Sequence, residues 1–204
     1  MLTRALLMFV ALALLAPADT QAQRRRGYER SGNDFTFEPH VGFFRDAYDI
    51  GSDDDRTTWL AGMRLGYRIA ARARLLGTLA YTRSDDVADN PDATAYNVYD
   101  NTWILTTLGG EYDIVPGNTS VSLGLQGGAG WRKTTLEETV GVPLPGQASD
   151  DGYSALDVIV PSITLRQWFS RRAAITIGLQ DYIFDVFEGP ADHSPAGSIG
   201  LTVR

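Results

Sequence analysis

The 204-residue chain has no cysteine and only two histidines, His40 and His193. Without thiols it cannot form a disulfide scaffold, bind a metal through thiolates or use a cysteine nucleophile. Two histidines are too few for a histidine-rich metal centre. The formal net charge of -7 argues against nucleic acid as a partner, because nucleic-acid binding requires basic patches. No phosphate-binding loop or nucleotide fingerprint is present, so we expect no cofactor.

The chain also lacks an apolar run long enough for a transmembrane helix, which needs about 20 residues. The N-terminal apolar stretch, residues 6–16, follows Arg4 and precedes small residues that end at Ala22. This arrangement is typical of a cleaved signal, so residues 1–22 are interpreted as a secretory signal peptide rather than as a membrane anchor. Residues 23–33, which begin Gln-Arg-Arg-Arg, are predicted to be a disordered basic tail on the periplasmic side.

The chain does have segments in which apolar side chains alternate with other residues. In residues 59–69 every second side chain is apolar, and the positions between them are mostly glycine and arginine. Only the period of a β-strand separates the two sets so cleanly. The same period predicts eight strands: residues 35–43, 59–69, 73–82, 102–112, 121–131, 157–167, 175–180 and 198–204. Because a proline cannot donate to the ladder, Pro161 in the sixth strand predicts a bulge.

The predicted connections alternate in length. Residues 70–72, 113–119 and 169–172 are short, whereas residues 45–58, 84–101, 133–153 and 185–194 are long and polar. Transmembrane barrels have short periplasmic turns, longer external loops and an even number of strands. Residues 34–204 are therefore predicted to form an all-β, eight-stranded antiparallel up-and-down transmembrane β-barrel, with its long acidic loops outside the cell.

Aromatic residues fall near the ends of the predicted strands. Tryptophan and tyrosine prefer the level of the lipid headgroups, so a bilayer selects two girdles of them. The predicted girdle residues are Trp59, Tyr67, Tyr81, Trp103, Tyr112, Trp131 and Trp168.

With its signal peptide, its alternating strands, and Tyr67 and Tyr112 at periplasmic strand ends, the chain resembles the small eight-stranded bacterial outer-membrane barrels. That group contains the outer membrane protein A transmembrane domain. Residues 172–183 (RAAITIGLQDYI) and 193–204 (HSPAGSIGLTVR) resemble the last two strands of such barrels, although the chain ends on Arg204 instead of an aromatic residue. The resemblance implies outer-membrane lipid and lipopolysaccharide as partners, insertion by the barrel-assembly machinery, and a monomer.

The lumen of an eight-stranded barrel is just wide enough for side chains to fill it. The predicted inward positions carry both signs of charge: Arg64, Arg68, Arg74 and Arg166 with Glu38 and Glu111. Because buried charges must pair, we predict an ion-pair and hydrogen-bond network around Glu38, Arg64, Arg68 and Glu111 that closes the bore. A narrow pathway through the same residues is the alternative interpretation.

Two further groups of residues suggest chemistry. Asp53, Asp54 and Asp55 in the first long loop carry the hard oxygen ligands that calcium or magnesium prefers, although their spacing is not that of a known calcium loop. A divalent ion bound there would bridge the loops to one another or to lipopolysaccharide. The pair His193-Ser194 invites a hydrolase interpretation, but neighbouring strand residues point to opposite faces, so no catalytic residue is assigned.

We therefore expect a non-enzymatic barrel of the bacterial outer membrane with a structural or surface-interaction role and a side-chain-filled lumen. Three alternatives remain open from the sequence. They are a narrow channel for small solutes, a lipid A-modifying enzyme, and a soluble periplasmic lipocalin-like barrel. The last would reverse the faces, with apolar side chains inside and polar ones outside.

Overall fold

The computed structural model describes residues 35–46, 56–88, 94–141, 152–187 and 191–204. They form eight strands: β1 Phe35–Asp46, β2 Arg56–Arg68, β3 Ala73–Ala88, β4 Tyr96–Val115, β5 Thr119–Val140, β6 Ser154–Trp168, β7 Ala173–Phe184 and β8 Asp192–Val203. Each strand pairs antiparallel with its neighbours in sequence, and β1 also pairs with β8, which closes the barrel. The predicted fold class is confirmed. The signal peptide and the basic tail lie outside the described residues.

Alternation along each strand separates an interior that holds most of the buried polar and charged side chains from an apolar exterior. In β1, Glu38 and His40 are buried, whereas Phe37 before them and Val41 after them are exposed. Leu108 on β4 is 71% exposed on the outer face. This distribution is the reverse of what a lipocalin-like barrel requires, so that alternative is contradicted. No helix among the described residues is long and apolar enough to span a bilayer.

Three short turns lie at the end of the barrel where β1 begins and β8 ends, here called the short-turn end. The turns at residues 69–72 and 169–172 are closed by backbone hydrogen bonds, from Ile69 N–H to Ala73 O (3.0 Å) and from Phe169 N–H to Ala173 O (3.2 Å). The turn at residues 116–118 joins β4 to β5. The strand ends that the four longer connections join lie at the opposite end, here called the long-connection end.

Strands β4 and β5 extend well beyond the length that a bilayer requires. They contain 20 and 22 residues, whereas about 9–11 residues cross a bilayer in a tilted strand. The extensions are residues 96–101 of β4 and 133–140 of β5, which were predicted to be loops but belong to the strands. Threonine favours strands despite its polarity, and hydrogen bonds from Thr134 to Asn101 (2.8 Å) and from Thr139 to Asn97 (3.0 Å) join the two extensions.

The bulge predicted at Pro161 is wrong. Pro161 pairs in register with Leu125 of β5. On the other side, β6 and β7 pair at Ile159 with Ile183 and again at Ser162 with Gln180, which is the same register. The missing N–H therefore interrupts the ladder locally without shifting it.

Candidate functional site

The side chains that fill the lumen form two layers of different chemistry. Towards the short-turn end lies an ionic layer, defined as Glu38, Arg64, Arg74, Glu111, Asp113 and Arg166. Towards the long-connection end lies an aromatic layer, defined as Phe44, Trp103, Tyr182 and Phe184. Both layers come from the inward-facing positions of strands that are far apart in sequence.

Glu38 is one centre of the ionic layer. Its Oε1 accepts from Arg64 Nη1 at 2.8 Å, and its Oε2 accepts from both Nε and Nη2 of Arg166 at 3.3 Å. The Thr202 hydroxyl donates to the same Oε2 at 2.7 Å. One carboxylate thus links β1 to β2, β6 and β8 across the bore.

Glu111 and Asp113 form the second centre, on β4. Glu111 Oε1 lies 2.8 Å from Arg74 Nε and 2.9 Å from Arg166 Nη1. Asp113 Oδ1 accepts from Arg74 Nη2 at 2.5 Å and from the Ser122 hydroxyl at 2.6 Å. Arg166 therefore connects this centre to Glu38.

The ionic layer balances its charges. Three guanidinium groups, on Arg64, Arg74 and Arg166, face the three carboxylates of Glu38, Glu111 and Asp113. Arg64 and Arg166 are each only 2% exposed. Each of the six groups has an opposite charge within 3.3 Å, and losing one partner of such a buried pair is costly.

The predicted network and the observed one overlap in part. The structure brings Glu38 and Arg64 together directly, and Glu111 joins them through Arg166. Arg68 makes no ion pair with any described residue, and it lies across from Arg74, a like charge. Asp113, which sequence reasoning placed in a turn, is a full member of the layer.

Two glutamines, Gln126 and Gln180, fill further space in the lumen. The Gln126 amide oxygen accepts from the hydroxyls of Thr78 at 2.8 Å and Thr107 at 2.9 Å. The Gln180 amide oxygen accepts from Arg64 Nη2 at 3.3 Å. These bonds join strands across the bore as well as along the wall.

The aromatic layer is held by ring contacts. The ring centroids of Trp103 and Phe184 are 4.7 Å apart, and those of Phe44 and Tyr182 are 5.7 Å apart. The indole N–H of Trp103 donates to Asp46 Oδ2 at 3.1 Å, which satisfies its one polar group. Leu60, Leu105, Val158 and Val160 are buried in the same cluster. The layer is an apolar core inside the barrel.

A glycine on β5 makes room for this layer. A Cβ built on Gly130 would lie 2.8 Å from a Phe184 ring carbon, 3.2 Å from Leu105 Cδ2 and 3.3 Å from the Trp103 ring. Gly127 on the outer face is different, because a Cβ there would meet only Val158 O at 3.9 Å. Glycine at position 130 thus lets the rings pack against the wall.

Two of the predicted girdle residues are wrong. Trp103 faces the lumen and is 0% exposed, because its neighbour Ile104 faces outward. Trp168 pairs with the fully buried Ala174, so it shares the lumen face, where the Arg204 guanidinium stacks 3.7 Å from its ring centroid. The outer face holds the remaining five: Trp59, Tyr67, Tyr81, Tyr112 and Trp131.

The other candidate sites do not assemble in the described part of the chain. Asp53, Asp54 and Asp55 lie outside the described residues, and within those residues no group of three acidic or histidine side chains is placed to hold a metal. His193 is exposed and pairs with Asp181 at 2.7 Å, whereas Ser194 is fully buried on the lumen side. The two residues therefore do not form a nucleophile and base.

Comparison with known proteins identifies the architecture. No protein-family model and no curated protein matches the chain. Among solved structures, Neisserial surface protein A is similar with a TM-score of 0.50 at 14% identity, over 84% of this chain and 97% of that one. The outer membrane protein OprG from Pseudomonas aeruginosa is similar with a TM-score of 0.50 at 9% identity, over 83% and 95%. The chain therefore has the fold of the small eight-stranded outer-membrane β-barrels, as its sequence resemblance implied.

Proposed function

We propose that this protein is a structural barrel of a bacterial outer membrane whose lumen is closed by its own side chains. The observation that carries the proposal is the pair of layers in the bore. An ionic layer tied across the barrel and an aromatic layer above it occupy the same lumen in series. A solute would have to displace both.

The outer face supports a lipid environment. Large apolar side chains are exposed on every strand, among them Phe37, Leu65, Leu79 and Ile177. Exposing such a continuous apolar surface to water would be unfavourable by about 25 cal/mol per Å². The hydrocarbon core of a bilayer removes that cost and explains the reversal of the two faces.

Aromatic pairs at the two ends of the barrel support an orientation in the membrane. Trp59 and Tyr81 pack together at the long-connection end, with ring centroids 5.4 Å apart. Phe35 and Tyr67 do so at the short-turn end, at 4.8 Å. Aromatic pairs at two levels suit the two headgroup regions, and short turns suit the periplasmic side. The protein would then be a monomer in contact with outer-membrane lipid and lipopolysaccharide, inserted by the barrel-assembly machinery.

The location is tested by fractionation and by gel migration. The chain is expressed with its own N-terminus, and outer membranes are separated from periplasm. We expect the protein in the outer-membrane pellet, and a shift in migration between unheated and heated samples. Recovery in the periplasmic fraction, or no shift, would contradict the proposal.

The structural role is tested in the host cell. We expect deletion of the gene to sensitise cells to detergents and large antibiotics, because a filled barrel contributes to the envelope without admitting solutes. The wild-type gene should restore resistance. Unchanged sensitivity of the deletion strain would remove the structural role while leaving the location intact.

A further inference from the structure

The short-turn end of the barrel is basic. It carries Arg68, Arg72, Arg171, Arg172 and Arg204. The side-chain carboxylates of the ionic layer at this end, on Glu38, Glu111 and Asp113, are already bound to Arg64, Arg74 and Arg166 and lie inside the bore. The rim therefore has an excess of positive charge.

Three of these arginines lie on turns held in fixed positions. The Arg72 carbonyl accepts from the Asp113 N–H at 2.7 Å, which ties the first turn to β4. The Arg172 carbonyl accepts from the Arg204 N–H at 2.9 Å, which ties the third turn to the end of β8. The Ser170 hydroxyl also accepts from the N–H of Ala173 at 2.9 Å. These bonds fix the backbone of the two turns that carry the arginines.

The same turns expose apolar side chains. Ile69 is 48% exposed and lies three residues before Arg72, and Phe169 is 61% exposed and lies just before Arg171 and Arg172. A turn that combines an apolar residue with a cation suits the junction between hydrocarbon and headgroups. A site for a soluble anion would not need the apolar residues.

At the opposite end the described residues include more carboxylates than cations, the cations being Arg45, Arg56, Arg83, Arg132 and Lys133. Glu137, Glu138 and Asp192 lie on the extensions and connections there, and Glu137 pairs with Arg83. Arginine matches phosphate geometry through its planar fork of donors. The charge difference therefore directs anionic lipid to the leaflet that meets the short-turn end.

We propose that Arg72, Arg171 and Arg172 bind the phosphate groups of anionic phospholipids in the leaflet at the short-turn end. This inference rests on the proposed function, since it requires the barrel to span a membrane. It adds to that function a defined lipid class and the residues that recognise it.

The test is native mass spectrometry of the folded barrel, purified in a nonionic detergent and titrated with phosphatidylglycerol or phosphatidylcholine. We expect tighter binding of phosphatidylglycerol to the wild type. The triple variant Arg72→Gln/Arg171→Gln/Arg172→Gln should lose affinity by about fivefold for each arginine that contacts a phosphate. The matched control, Arg45→Gln/Arg83→Gln/Lys133→Gln at the opposite end, removes the same charge and should keep the preference.

The outcomes separate the two proposals. A protein that shows no heat-dependent migration is not a transmembrane barrel, which contradicts the proposed function. A folded barrel that binds both lipids equally, or a triple variant that keeps the preference, overturns only the lipid inference. Displacement of the lipid by inorganic phosphate at equal concentration would also overturn it, because the rim would then recognise a free anion.

Discussion

The two layers of the lumen close the same bore by different means. The ionic layer uses directional contacts between strands remote in sequence, as in the bond from Thr202 to Glu38. The aromatic layer fills the lumen with bulky rings such as Trp103 and Phe184, which pack against the barrel wall where Gly130 has no side chain. An interior with directional contacts should fail when a single partner is lost. An interior filled by volume should respond in proportion to the atoms added or removed.

The largest expected effect is in the ionic layer. Glu38→Ala leaves the buried guanidinium groups of Arg64 and Arg166 without one of their carboxylates, so we expect the free energy of unfolding to fall by about 3–5 kcal/mol. Urea titration of the barrel in lipid vesicles measures the change. Glu138→Ala, an exposed glutamate at the long-connection end, is the control and should change little. A small effect of Glu38→Ala would contradict the importance of the network.

A smaller effect is expected in the aromatic layer. Gly130→Val adds atoms where a Cβ already meets Phe184 at 2.8 Å, so we expect a loss of about 1–3 kcal/mol from overpacking. The matched control is Gly127→Val on the same strand, where a Cβ points outward and makes only an ordinary van der Waals contact with Val158 O at 3.9 Å, so it should be nearly neutral. The same urea titration applies. Equal effects of the two variants would show that the rings do not fill the lumen tightly.

The smallest effect is expected for an ion pair outside the lumen. Arg83 and Glu137 are both exposed, and their side chains lie 3.4 Å apart. We expect Glu137→Gln to cost less than about 1 kcal/mol, because water weakens exposed pairs. Added salt should abolish this cost and leave that of Glu38→Ala, since buried pairs are screened less. Identical salt dependence of both variants would contradict the burial of the ionic layer.

The architecture could be predicted from the sequence because strand alternation is a local signal. Residues an odd number of positions apart on a strand face opposite sides of the sheet. Because Ile104 faces outward, Glu111, seven positions later, faces the interior. The same alternation places Trp103, next to Ile104, and Trp168, two positions after Arg166, inside the barrel. The girdle prediction for these two residues is therefore wrong for a reason already present in the sequence. An aromatic residue near a strand end belongs to a girdle only when the alternation places its side chain on the outer face.

The arrangement of side chains within the lumen could not be predicted in the same way. Phe44, Tyr182 and Phe184 lie beyond the predicted strand ends, so their inward positions in the aromatic layer were not visible. Which charges meet depends on the stagger between strands, a property of the closed barrel. Asp113 reaches Arg74 because of this stagger, whereas Arg68 pairs with no described carboxylate.

The closed lumen is tested most directly by electrical recording from the purified wild-type barrel in planar lipid bilayers. With both layers in place, we expect no conductance steps above leak in concentrated potassium chloride. Stable unitary steps from the wild-type protein, present in repeated insertions and absent from detergent controls, would contradict a filled lumen and establish a narrow channel instead.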